Sequence, residues 1–259
     1  MPIFAYEIKN LYFQYKKDEP LFEGLSIKIK EKEWFGIIGP NGSGKTTLLK
    51  LMAGLLRPQK GTIIIFNNNI FSLTPKERAK FIGYFPQENF FIFDYTVKEI
   101  VLMGRNPYIK WFSSVSKKDM EIVERAMELT ETVGFKDKKI SELSSGERKR
   151  VILARILAQE PKILLLDEFT THLDISYQIE FINLLKRLKE VKDLTIIFLT
   201  HDLNLASISC DRILLIDKGK FIACDLPEKI LKEDLIEKVY KVKPIIKNHP
   251  LTNKPLVIF

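Results

Sequence analysis

An α/β fold built around a parallel core sheet is predicted by three observations. Strand-like apolar stretches alternate with amphipathic stretches of helical period along most of the chain. The stretch from Trp34 to Ile38 runs straight into a glycine-rich loop and then a helix-like segment. The run Ile163-Leu164-Leu165-Leu166, bounded by Pro161 and Asp167, is apolar without interruption, as a strand covered on both faces must be.

The elements follow in order. Tyr6 to Tyr15 and Leu25 to Ile29 alternate apolar and polar residues, as half-exposed antiparallel strands do, and Thr62 to Phe66 is expected to join them in a small antiparallel β-subdomain. Trp34 to Ile38 reads as a buried strand, and Thr46 to Ala53 as a helix stopped by Gly54. From about Tyr95 the period turns helical, carried by Val97, Ile100, Val101 and Met103 and then by Ile122, Val123, Ala126, Met127 and Leu129. This predicts a helical subdomain over about 92–150. Ser144 followed three residues later by Glu147 has the spacing of a capping box, opening an amphipathic stretch (Val151, Ile152, Ala154, Leu157, Ala158) that Pro161 stops. Ile175, Ile179, Ile182, Leu185 and Leu188 mark another helix, and Thr195 to Thr200 and Arg212 to Ile216 two more strands. Asp217-Lys218-Gly219-Lys220 reads as a hairpin turn, and the C-terminal extension over about 244–259 as a second hairpin. One domain over 1–259 accommodates all of this, since the chain is 46% hydrophobic and long enough for a substantial core.

The glycine loop Gly39-Pro40-Asn41-Gly42-Ser43-Gly44-Lys45-Thr46 matches the phosphate-loop pattern in full. Its glycines let backbone N–H groups converge on phosphate oxygens, and the helix N-terminus adds partial positive charge. Lys45 is placed to reach the β- and γ-phosphates, and the Thr46 hydroxyl to bind Mg²⁺. Asp167 and Glu168 close the Ile163 strand at the edge where such sheets meet their ligands. One carboxylate near metal-bound phosphate and one near the attacking water suffice for phosphoryl transfer, which depends on positioning and charge neutralisation. ATP binding and hydrolysis are therefore expected, with Asp167 on Mg²⁺ and Glu168 on the water.

Leu143-Ser144-Ser145-Gly146-Glu147 resembles the signature sequence of ATP-binding-cassette (ABC) ATPases, and further family markers stand in the family's order. These are Tyr15 before the phosphate loop, Gln87 after Gly83-Tyr84-Phe85, Leu173-Asp174 after Glu168, and His201 after Thr200. The resemblance implies that Tyr15 stacks on adenine, that Thr47 joins the nucleotide contacts, and that Gln87 senses Mg²⁺ and the attacking water. It assigns His201 to the γ-phosphate. Ser144 and Gly146 then face ATP held by a second copy, and Asp174 crosses to that copy, so two ATP molecules are sandwiched between head-to-tail subunits. ATP and dimerisation must strengthen each other.

Leu102-Met103-Gly104-Arg105-Asn106-Pro107-Tyr108, Thr170-Thr171-His172-Leu173-Asp174-Ile175, His201-Asp202-Leu203-Asn204-Leu205-Ala206 and Cys210-Asp211-Arg212 narrow the resemblance. They look like the ATPase subunits of importers for iron chelates, haem and cobalamin. The implied partners are transmembrane permease subunits and, indirectly, an extracytoplasmic solute-binding protein, and the implied location is peripheral, on the cytoplasmic face of the cell membrane. The sequence departs from the family where Ser145 replaces a glycine, Phe169 a proline, Lys149 a glutamine, and Lys32 the glycine before Glu33. An exporter cassette is the alternative differing in partner and direction. A soluble ABC ATPase acting on nucleic acid or ribosomes is the alternative of another class.

Composition argues against nucleic acid. The net charge of +8 comes from 41 Lys and Arg set among 33 Asp and Glu, scattered rather than gathered with aromatics, which suits a solvated surface. No apolar run is long enough to span a bilayer, and Met1-Pro2-Ile3-Phe4-Ala5 lacks the basic and apolar regions of a signal peptide. The cysteines, Cys210 and Cys224, have no metal-ligand spacing. The aromatic cluster Phe90, Phe91, Phe93 and Tyr95 is expected to pack the helical arm, with a docking surface for the membrane subunit as the sharper alternative.

Overall fold

The structure, a computed structural model, describes residues 3–87, 93–109, 114–171 and 173–259. It divides into two compact units, Met1–Ser72 with Thr195–Phe259, and Leu73–Leu194. The chain enters the first unit through strands β1 (Phe4–Lys16), β2 (Glu19–Lys30) and β3 (Trp34–Ile38), helix α1 (Lys45–Met52), and strands β4 (Lys60–Ile65) and β5 (Asn68–Asn69). In the second unit it forms α2 (Pro75–Ala79), β6 (Ile82–Phe85), α3 (Val97–Met103), α4 (Lys117–Leu129), α5 (Ser145–Leu157), β7 (Ile163–Asp167) and α6 (Ile175–Lys192). It returns to the first unit as β8 (Thr195–Leu199), α7 (Leu203–Ser209), β9 (Arg212–Asp217), β10 (Lys220–Asp225), α8 (Pro227–Ile230), α9 (Glu233–Tyr240), β11 (Ile245–Asn248) and β12 (Pro255–Ile258).

In the first unit β1 pairs antiparallel with β2 and with β4, giving the expected β-subdomain in the order β2-β1-β4-β5. β3 lies between β8 and β9, parallel to both, and β10 returns antiparallel along β9. Every residue of β3 and of β8 is buried, the burial that continuous apolar sequence anticipates, and Trp34 meets Phe198 edge-to-face at 6.1 Å. In the second unit β6 and β7 pair in parallel, and β7 is buried along its whole length. Parallel strands joined through helices make the fold α/β.

The two expected hairpins form. Lys218 and Gly219 both take left-handed backbone angles (φ 47° and 73°) between β9 and β10, as a tight two-residue hairpin turn requires. β11 and β12 pair in register from Ile245 opposite Ile258 to Asn248 opposite Pro255. Asn204 and Ser207 of α7 fasten that second hairpin: Asn204 bonds Val257 in both directions (2.7 and 3.0 Å), and Ser207 Oγ donates to the Pro255 carbonyl. Some limits shift. β2 begins at Glu19 rather than Leu25, and β8 ends at Leu199 rather than Thr200. Among the described residues no helix is long and apolar enough to cross a membrane. Of the aromatic cluster, Phe90 and Phe91 lie outside the described residues, while Phe93 packs edge-on to Tyr95 at 5.9 Å and stays exposed.

Departures from the family pattern gain a physical meaning here. Lys32 sits at φ 61° in the turn before β3, a conformation a glycine adopts without cost and an L-residue does not, so the family's glycine answers a backbone requirement. The turn is held by a bond from the Lys32 N–H to Thr195 Oγ1 at 2.9 Å.

Candidate functional site

The phosphate loop lies in the first unit, between β3 and α1. Gly39 has φ 154°, and a Cβ there would stand 2.1 Å from the Ile216 carbonyl oxygen of β9, so only glycine lets the loop start against the sheet. α1 begins at Gly44 with no side-chain cap and no acidic residue in its first turn. Helices α2, α3, α4 and α5 all start with capping boxes. The difference has a consequence: with glycine rather than a capping side chain at its N-cap and no carboxylate in its first turn, the N-terminus of α1 and its dipole favour an anion.

The side chains of the loop fit that anion. Lys45 is buried, and its Nζ donates to the Gly39 and Pro40 carbonyls at 2.8 and 2.9 Å, which sets the ammonium over the loop. Ser43 Oγ is buried with no hydrogen-bond partner among the described residues, an orphaned hydroxyl that an incoming oxygen would satisfy. Thr47 is buried, and its hydroxyl meets the Tyr15 hydroxyl at 3.1 Å, while the Tyr15 ring is 63% exposed and edge-on to Phe13. The sequence places Tyr15 thirty-two residues from Thr47, and the structure brings the two together. His201 is exposed just beyond β8, where Asp202 rather than His201 caps α7 by accepting from the Asn204 and Leu205 N–H groups.

The carboxylates lie in the second unit, at the end of β7. Asp167 is 1% exposed and accepts from the Tyr84 hydroxyl at 3.4 Å; burial, with help from the carboxylate, pushes the Tyr84 phenol up. Glu168 follows at φ 45°, a strained conformation for a residue with a Cβ, costing on the order of 1 kcal/mol. Gln87 Nε2 donates to Glu168 Oε2 at 3.0 Å, so the two residues assigned to the attacking water are in direct contact across 81 positions of sequence.

The signature segment opens α5 in the same unit. Ser144 is the N-cap: its hydroxyl accepts from the Glu147 N–H at 3.3 Å, and the Glu147 carboxylate accepts from the Ser144 N–H at 2.8 Å. The Ser144 N–H first, and then the Ser144 hydroxyl beside the carboxylate, hold Glu147 below the usual carboxylate range. Gly146 is buried because Tyr177 of α6 lies on it; a Cβ there would stand 2.7 Å from the tyrosine ring. Asp174 caps α6, accepting from the Tyr177 N–H at 2.9 Å and from the Ser176 hydroxyl, and this holds its carboxyl below the ordinary range. Arg150 joins α5 to α6 through Glu180 (2.8 Å) and to Glu131 (2.7 Å), which also meets Arg187. Sequence reading missed this network, whose only signal is charge scattered over three segments. It singled out the stretch holding Arg105 but missed its contacts: Arg105, 3% exposed, bonds Asp119, Glu160 and the Ala158 carbonyl and lies 4.0 Å over the Tyr108 ring. His172 lies outside the described residues. The cysteines stay unassigned: burial raises both thiols, Cys224 to about 11, which keeps them protonated.

A phosphate loop after a buried parallel strand, and an Asp-Glu pair ending another, define a phosphate-loop ATPase. Comparison with known proteins gives the family. Residues 22–171 match the ABC transporter family, and the chain belongs to it, as an ABC-type ATP hydrolase coupled to transport. The petrobactin import ATP-binding protein FpuC of Bacillus anthracis is 37% identical over 234 residues, covering 90% of this chain and 86% of that one. The ferric enterobactin transport ATP-binding protein FepC of Escherichia coli K12 is 37% identical over 236 residues, with 91% and 87% covered. The cobalamin import ATP-binding protein BtuD of Halobacterium salinarum is 33% identical over 232 residues, 90% of this chain and 58% of its own. Among solved structures, an inward-facing metal-chelate type ABC transporter superposes with a TM-score of 0.86 at 26% identity, over 99% of this chain and 98% of that one. A dimeric bacterial ABC transporter cassette superposes with a TM-score of 0.74 at 30% identity, over 86% and 98%.

Proposed function

We propose that this chain energises uptake of a metal-chelate-type solute, such as an iron-siderophore, haem or a cobalamin-like molecule, through a partner permease at the cytoplasmic face of the membrane. What carries the reading is similarity over about nine-tenths of the chain to ATP-binding proteins of petrobactin, enterobactin and cobalamin import. The scattered charge favours it over action on nucleic acid.

In this reading ATP is held by Gly39, Pro40, Asn41, Gly42, Ser43, Gly44, Lys45, Thr46 and Thr47, with adenine against Tyr15. Lys45 neutralises the β- and γ-phosphates, and His201 meets the γ-phosphate. The hydroxyl of Thr46, the carboxylate of Asp167 and the amide of Gln87 are hard oxygen donors of the kind Mg²⁺ takes, and bound Mg²⁺ would neutralise charge on the phosphates. Glu168 orients and deprotonates the water, and the Gln87 amide that it accepts from fixes its direction. A second copy supplies Ser144 and Gly146 from the start of α5 and Asp174 from the start of α6, and the partial positive charge at the N-terminus of α5 favours the anion. Hydrolysis then opens the pair and moves the permease.

The test is reconstitution with a permease and a solute-binding protein in vesicles. ATP-dependent uptake, with hydrolysis stimulated by the loaded binding protein, is expected. ATP hydrolysis indifferent to both partners would overturn the importer reading, and export from inverted vesicles would reverse its direction.

A further inference from the structure

The turn that carries Glu168 is tied to the signature helix by a residue that departs from the family pattern. Lys149, in the second turn of α5, is half-buried, and its Nζ donates to the Phe169 carbonyl at 2.7 Å and, over a shorter distance, to the Thr171 carbonyl. Those carbonyls belong to the turn 168–171. The turn is closed on itself by the Thr171 N–H and hydroxyl, both donating to the Glu168 carbonyl (3.2 and 2.8 Å), and Glu168 sits at its left-handed start. The turn is also anchored by the Phe169 ring, 1% exposed and tilted against Phe181 at 5.4 Å, which in turn meets Phe85.

Two departures from the family pattern thus meet in one hydrogen bond: Lys149 stands where glutamine is usual, and the carbonyl it grips belongs to Phe169, where proline is usual. Proline stiffens a turn by fixing φ. Phenylalanine cannot, so a turn holding a strained Glu168 needs another restraint. An ammonium with three donors on a long stem can hold two carbonyls at once, whereas a glutamine amide is shorter and carries two donors on one nitrogen. The charge also strengthens both bonds.

We propose that Lys149 is a positioning residue for the catalytic carboxylate, holding the 168–171 turn so that Glu168 stays aimed at the attacking water, and so making hydrolysis respond to the placement of the signature helix. It deepens the reading of Glu168 as the base. Lys149 itself touches no reacting atom. The turn and the helix are parts of one mechanical unit, joined by the ammonium.

The experiment is a double-mutant cycle in the full chain, with Lys149→Met and Lys149→Gln made alone and on Glu168→Gln. Methionine keeps length and apolar volume and removes the donors. Lys149→Met is expected to lower kcat by about tenfold or more with the KM for ATP within about twofold, since a small misplacement of a catalytic group is enough for that loss. Lys149→Gln, which keeps an N–H donor, should recover part of it. On Glu168→Gln the same Lys149→Met change should cost less than about twofold, because the group it aims is already gone. Unaltered kcat in Lys149→Met overturns the proposal, as does an equal loss in both backgrounds, which would assign the residue to general stability. If Glu168→Gln alone hydrolyses at the parent rate, it is the reading of Glu168 that fails, independently of Lys149.

Discussion

The phosphate loop and the carboxylate turn are built on opposite principles. In the first unit the loop is contiguous, residues 39–47, and its chemistry comes from backbone: glycine angles, N–H groups at an uncapped helix start, and a lysine held by carbonyls of its own loop. In the second unit the residues around the carboxylates depend on distant ones. Glu168 meets Gln87, Asp167 meets Tyr84, Gly146 makes room for Tyr177, and Lys149 grips the turn after Glu168. A local device survives most changes elsewhere, whereas an assembled one fails whenever any of its supports moves. Binding is thus expected to be robust and hydrolysis easy to uncouple from it.

Lys45→Ala should have the largest effect, reducing ATP affinity and hydrolysis together, by a hundredfold or so in turnover. Unchanged nucleotide affinity in a direct titration would break the assignment of the loop. Glu168→Gln should slow hydrolysis by on the order of a hundredfold with affinity intact. With Mg-ATP it should also shift from monomer to dimer in size-exclusion mass analysis, whereas near-parent turnover would move the base elsewhere.

Gly146→Ala tests an assembled contact. Its Cβ would meet the Tyr177 ring at 2.7 Å, so α5 and α6 must separate slightly, at a cost of about 1–3 kcal/mol read from denaturant unfolding. Tyr177→Ala in the same chain should relieve most of that, and failure to do so would show that the contact is not what keeps the glycine. Burial lowers the Lys149 ammonium from 10.5 to about 8. The unfolded chain then binds that proton more tightly, and stability gains an increment as pH rises from about 8 toward 10.5 that is absent below 8. Melting temperature against pH should show this slope in the parent and less of it in Lys149→Met. The smallest effect is expected for Lys32→Gly, which relieves a left-handed residue and should raise stability by about 1 kcal/mol, visible by calorimetry as a small upward shift in Tm.

The sequence by itself determined the strands, the phosphate loop, the order of the family markers and the α/β class, because each is written in local pattern: apolar runs, glycine spacing, helical period. It also gave capping at Ser144, since a cap and its partner lie three residues apart. Only the tertiary structure decided what those residues support. That Tyr15 reaches Thr47, that Gln87 holds Glu168, that Arg150 ties α5 to α6, and that the lysine and phenylalanine replacing family residues form one restraint are all facts of folding. The physical reason is that hydrogen bonds and ion pairs are fixed by direction and distance in space. Residues separated by 20 to 81 positions carry no mark of one another until the sheet and helices have set their places.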